Sequence, residues 1–186
     1  LQAPPQNPAT TIDLPGGAGL ASSAARFAVS PDGRQMAIAL VSAGRTEIWA
    51  RNLDGVDARP LMGTEGVTSL PVWSPDSKSV AFISEGKLRR MPAGGGPVLT
   101  LCDLDPNATF AWGADDTLLL APGGGEPIRR IDAAGGGRTQ QMSRAAPGEQ
   151  HAFPAFIPGV PRFLFFACAG ERRDGVWLGR FEGGEG

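Results

Sequence analysis

His151 is the only histidine among 186 residues, so acid–base or metal chemistry near neutral pH has one imidazole to draw on. As a general base it would need a nucleophile and an orienting carboxylate within reach. The chain holds no Gly-x-Ser-x-Gly elbow to supply that nucleophile, and a single histidine cannot furnish a multi-histidine metal set. A structural or surface role is therefore the first reading of His151, and ligand contact the second. Asp103-Leu104-Asp105-Pro106-Asn107 places three oxygen-bearing side chains at alternate positions, as a calcium loop begins. The glycine and the distant bidentate glutamate of such a loop are not correctly placed, which leaves an acidic connection held by Asx turns. Gly94-Gly95-Gly96, Gly123-Gly124-Gly125 and Gly135-Gly136-Gly137 could cradle phosphate, but no helix follows them to add its dipole. They read as turns. Cys102 and Cys168 cannot make a zinc site alone; a disulfide would need the fold to join them, and two free thiols are the simpler state. No catalytic residue, metal or cofactor is expected.

The elements that would position these residues come from a repeat. Phe27-Ala28-Val29-Ser30-Pro31-Asp32-Gly33-Arg34 returns as Pro71-Val72-Trp73-Ser74-Pro75-Asp76-Ser77-Lys78. Fainter copies follow at Phe110-Ala111-Trp112-Gly113-Ala114-Asp115 and Pro154-Ala155-Phe156-Ile157-Pro158-Gly159. The copies begin their turns at Ser30, Ser74, Gly113 and Ile157, in steps of 44, 39 and 44 residues. A period near 40 with strand-like content marks propeller blades. The expected fold is all-β, a propeller of four-stranded antiparallel blades, with about four blades over 24–63, 69–102, 108–143 and 151–182. Residues 1–10, rich in Pro, Gln and Ala, read as a linker.

Within the first repeat the expected strands are Arg26–Val29, Met36–Val41, Glu47–Asn52 and Ala58–Met62. Later strands are expected at Val80–Ser84, Lys87–Met91 and Pro97–Leu101, then Thr117–Ala121, Pro127–Ile131 and Arg138–Met142, then Arg162–Cys168 and Gly175–Phe181. Second strands such as Met36-Ala37-Ile38-Ala39-Leu40 are apolar without alternation, which means burial on both faces. The recurring Asp32, Asp76 and Asp115, with Gly33, then hold hairpins through side-chain to backbone bonds. Trp73, Trp112 and Phe156 on inner strands, and Trp49 and Trp177 on third strands, are packing residues. The fourth blade lacks an outer strand. Thr11–Leu14 would close a four-bladed ring by supplying it. Alternatively the chain is a fragment of a larger propeller, as the start at Leu1 and the truncated turn Gly183-Gly184-Glu185-Gly186 suggest.

Gly and Pro, 27 and 17 residues, fall at turns between apolar runs. A net charge of -2 and a pI near 5.4 give no basic footprint for nucleic acid. A mean hydropathy of -0.10, with no run long enough to span a bilayer, argues against membrane insertion by this segment. Loops entering the inner strands and loops between second and third strands share one rim, where propellers bind partners. That rim carries Arg26, Arg45, Glu65, Glu85, Asp103, Asp105, Glu149, His151 and Arg172. The partner expected there is a protein or peptide, and an incomplete propeller would also self-associate.

The Val-Ser-Pro-Asp-Gly-Arg and Trp-Ser-Pro-Asp-Ser-Lys turns, followed by Ile48-Trp49-Ala50-Arg51-Asn52-Leu53-Asp54-Gly55, resemble the TolB-type propeller repeat over roughly Thr11 to Phe181. Arg45–Leu53, Ala58–Leu61, Gly63–Gly66 and Gly86–Arg90 are similar to the C-terminal propellers of bacterial receptor-like serine/threonine kinases. That resemblance implies a non-enzymatic sensing module outside the cytoplasm, carried by a membrane-anchored signalling protein. Nothing in the chain matches the glycine-rich loop, strand lysine or Asp-Phe-Gly of a kinase. The alternative is the gating propeller of a prolyl-oligopeptidase-like hydrolase whose catalytic domain is absent. A purely structural assembly module is the third reading.

Overall fold

The computed structural model describes residues 18–20, 27–136, 139–168 and 174–181. The expected closing strand, Thr11–Leu14, and the linker lie outside these residues. The first sheet contains β1 (Gly19–Leu20), β2 (Phe27–Val29), β3 (Gln35–Ser42), β4 (Arg45–Asn52) and β5 (Ala58–Pro60). The second contains β6 (Val72–Trp73), β7 (Ser79–Ser84), β8 (Lys87–Pro92) and β9 (Leu99–Asp103). The third runs through β10 (Thr109–Trp112), β11 (Thr117–Ala121), β12 (Arg129–Asp132) and β13 (Gln140–Gln141), and the fourth through β14 (Gln150–Phe156), β15 (Arg162–Cys168) and β16 (Gly175–Arg180). All pairings are antiparallel and follow chain order outward from the inner strand, the plan of a propeller blade.

The departures from the expected strands have local causes. β1 pairs with Leu40 and Val41 on the same edge of β3 that β2 uses lower down, so the first inner strand is longer than expected and interrupted. β5 stops at Pro60 because Thr64 takes over: its hydroxyl accepts the Ile48 N–H at 2.8 Å and donates to Leu61 O at 2.7 Å. Ser143 does the same for Ile128 N–H at 2.8 Å, which shortens β12 and β13. In β9 a register shift opposite Leu88 and Arg89 moves the outer strand two residues later than expected. One hydroxyl thus replaces a ladder bond at two equivalent places.

Second strands β3, β7 and β11 are buried along most of their length, as their unalternating sequences require. Successive sheets stack to form three cores. Ala37 and Ala39 of β3 share a core with Val80 and Phe82; Ala81 and Ile83 share one with Leu118 and Leu120; Leu119 and Ala121 share one with Phe163 and Phe165. At the first junction the small Ala37 and Ala39 leave room for the Phe82 ring. The junction of the first and second sheets also carries polar clips: the Trp73 indole donates to Ala28 O at 3.0 Å, and Arg59 donates to Ala93 O and Gly94 O at 3.0 Å each. Neighbouring inner strands meet in the order β2, β6, β10, β14, and among the described residues no contact of comparable extent returns from β14 to β2. No helix among these residues is long and apolar enough to cross a membrane.

Candidate partner-binding surface

The hairpins joining first and second strands define the rim opposite the expected binding face. Ser30 Oγ donates to Asp32 Oδ1 at 2.6 Å, while the Arg34 N–H donates to the same oxygen at 3.0 Å and the Gln35 N–H to Ser30 Oγ at 2.8 Å. Ser74, Asp76, Lys78 and Ser79 repeat the pattern with matching distances. The serine hydroxyl, then the backbone N–H, hold both carboxyls below the usual carboxylate range. Gly33 supplies a φ of 71° in the first turn. Ser77 adopts 62° in the second, where its hydroxyl accepts the Asp32 N–H across the junction. In the third turn Asp115 accepts only the Thr117 N–H, and Gly113 stands where serine would be. A Cβ there would lie 2.5 Å from the Phe156 ring, so the fourth sheet excludes the serine.

On the facing rim the expected residues have different fates. Arg45 is exposed at the start of β4. Glu85 pairs with Arg89 at 2.6 Å, and Asp103 with Lys87 at 2.6 Å. The lysine ammonium holds the Asp103 carboxyl low. Glu65 turns inward on its own loop and accepts the Gly63 N–H at 3.2 Å. Asp105, exposed, accepts the Asn107 N–H at 2.8 Å in an Asx turn. Arg26 and Arg172 lie outside the described residues. Cys102 and Cys168 are free thiols, and burial pushes Cys102 up, away from nucleophilic use.

Glu149 and His151 are buried, at 2% and 3% exposure. His151 Nδ1 lies 2.8 Å from Ser143 Oγ, and its Nε2 lies 3.8 Å from Glu149 Oε2, which also accepts the Ala146 N–H at 2.7 Å. The ring packs on Phe165 at 4.6 Å between centroids. Serine, histidine and glutamate in a string suggest a charge relay, but Ser143 Oγ is already taken by the Ile128 N–H. The Ser143–His151 bond runs in either direction, according to which ring nitrogen carries the proton. The string fastens the loop before β14, as Thr64 fastens the equivalent loop before β6. Among the described residues no group of three or more His, Cys, Asp or Glu side chains gathers to hold a metal.

The rim is concave where the inner strands of the second, third and fourth sheets begin. A cleft of about 530 Å³ opens there between Leu70, Val72, Pro106, Phe110, Phe153 and Pro154. A smaller hollow of about 340 Å³ adjoins it through Asn107, Thr109 and Phe153, and brings Asp105 and His151 together. Lining residues of both include one carboxylate, Asp105, and neither lysine nor arginine. Phe153 is the residue that spacing did not single out. It lies in a β-bulge between Ala152 and Ala155 at a φ of 51°, is 68% exposed, and has its N–H fixed by Thr109 Oγ1 at 2.8 Å. Bulges re-aim side chains, and the sequence does carry a sign of this one. Pro154 cannot donate to a ladder inside a strand and favours an irregularity.

No family model matches the chain, and no curated protein matches it in sequence. Solved structures do match. TolB from Acinetobacter baumannii superposes with a TM-score of 0.66 at 16% identity, over 82% of this chain and 40% of that one. A TolB-type protein of Agrobacterium tumefaciens gives 0.64 at 19%, over 82% and 59%. A structure from a study of two prolyl endopeptidases gives 0.61 at 18%, over 87% and 26%. The chain thus spans between 26% and 59% of these three structures, and the shared feature is the fold, that of TolB-like β-propeller blades.

Proposed function

We propose that this chain is a non-enzymatic binding module that captures an extended protein or peptide segment at the axial cleft. The observation that carries the reading is Phe153, a large aromatic side chain held exposed in a strained backbone conformation at the centre of an apolar concavity. Strain of this kind persists where surrounding structure imposes it, and clusters at ligand sites. Aromatic anchors in pockets supply most of the binding energy in protein interfaces. An apolar cleft with Asp105 as the one carboxylate of the adjoining hollow suits an apolar segment that carries a positive charge. Arg45, Glu85, Asp103 and Asp105 form the polar surround, while Glu149 and His151 support the loop from beneath. The resemblance of Arg45–Leu53 and Gly86–Arg90 to receptor-kinase propellers supports an extracytoplasmic setting in a membrane-anchored signalling protein.

Selection of random peptides on the purified chain tests the binding reading. Enriched peptides should share an aromatic or aliphatic anchor. Phe153→Ala and Leu70→Ala should each weaken them about tenfold or more without lowering thermal stability. Peptides that bind both variants as well as the parent would exclude the cleft.

The second reading, a propeller gating a serine hydrolase, draws on the likeness to prolyl endopeptidase. The parent reading frame separates the two: a kinase and membrane helix upstream supports the first, an α/β-hydrolase downstream the second.

A further inference from the structure

A groove between the second and third blades continues the axial cleft outward along the same rim. The smaller hollow shares Asn107 and Phe153 with the cleft, and shares Asp105, Gly123 and Gly124 with this groove of about 500 Å³. The groove is lined wholly by the second and third blades, and each of these packs on a further blade of the chain. Its walls therefore stand whatever precedes or follows the sequence. Cys102 lies opposite Leu88 and Arg129 opposite Leu120, and both leucines belong to the core between these blades. Opposed residues share a face, so Cys102 and Arg129 look toward each other across the groove. Leu104, Pro106, Leu120 and Pro122 complete an apolar lining, while Asp103, Asp105 and Glu126 supply its carboxylates. Two of these are matched within the chain: Glu126 meets Arg129 at 2.5 Å, and Asp103 meets Lys87 at 2.6 Å. Asp105 is exposed, its Oδ1 accepts only the Asn107 N–H, and among the described residues no cation pairs with it.

We propose that this groove receives a lysine or arginine from the same extended protein segment whose apolar anchor fills the cleft, an assignment that rests on the binding reading above. Long basic side chains bury their methylene stems on apolar surface and keep the charge at a polar edge. The groove offers both parts, with apolar walls for the stem and Asp105 for the charged head. The unmatched carboxylate also sets the sign of the partner. An acidic residue would meet like charge, and an apolar one would strip water from Asp105 without replacing it. Gly123 and Gly124, at φ of 86° and 63°, border the passage from hollow to groove, and nothing lies within 4 Å of where a Cβ would stand. Bare backbone on that side lets a second chain lie close against it.

Peptides selected on the 186-residue chain, titrated by fluorescence anisotropy, test the proposal. Beside an anchor that depends on Phe153, they should carry a lysine or arginine at one fixed spacing. Replacing that residue by norleucine, which keeps a stem and loses the charge, should weaken binding about tenfold. Asp105→Asn should weaken the basic peptide by the same factor and leave the norleucine peptide unchanged. Asparagine can keep the Asx turn with Asn107, so this variant tests charge rather than folding. Saturating basic peptide should also slow alkylation of Cys102 by iodoacetamide, read by mass spectrometry against Cys168, which lines none of these three hollows. Peptides lost on Phe153→Ala but indifferent to Asp105→Asn, or leaving Cys102 alkylation unslowed, would overturn the groove and leave the cleft standing. If no selected peptide depends on Phe153, the cleft falls and the groove with it.

Discussion

Asp32 and Asp76 show how one residue type is used twice for the same physical end. Each carboxylate accepts a serine hydroxyl and a backbone N–H within a tight turn, and is stabilised in its charged form. A group with a lowered folded-state pKa contributes stability above its unfolded value, about 3.9, and loses it as pH falls through the folded value. Asp103 adds the same sign through Lys87. The chain should therefore lose stability as pH drops below about 4. Asp76→Ala should unfold at a lower temperature than the parent at neutral pH, with the gap narrowing in acid. A gap of constant size from neutral pH into acid would show that the charged form is not what the turn selects. Both exposed carboxylates are screened by solvent, so the effect is modest.

At the scale of elements, Gly113 separates what the repeat dictates from what packing dictates. By analogy with Ser30 and Ser74, a serine at this position would complete the turn and stabilise the third blade. The Phe156 ring forbids it: three ring atoms stand 2.5 to 2.8 Å from where a Cβ would be, and that ring stacks on Phe181 at 5.5 Å. Gly113→Ser should cost about 1–3 kcal/mol through overpacking, read as a lower unfolding midpoint in denaturant; an unchanged or raised midpoint would contradict the packing. The same contrast governs legibility. Turns and second strands could be read in the sequence because Pro-Asp-Gly geometry and unalternating apolar runs are local. Burial of His151, the exposed Phe153 and the loss of serine at Gly113 could not, because each depends on a contact from another blade. Thr109 fixes Phe153 from 44 residues away.

At the scale of the whole molecule, the blades form a stack whose three cores join neighbours in sequence, and the inner strands leave a concave mouth on one rim. The period of about 40 residues made the stack legible, whereas the rim's population of charges did not reveal its apolar centre. On the proposed function, Phe153 is held in a costly conformation for the sake of a ligand. Phe153→Gly separates the two effects, because glycine adopts a φ of 51° freely and offers no aromatic ring. Paired thermal unfolding and titration calorimetry with a peptide selected on the parent chain is the direct measurement. The variant should be more stable than the parent, by about 1 kcal/mol, and should lose peptide binding. A Phe153→Gly chain that binds the peptide as tightly as the parent would contradict the claim.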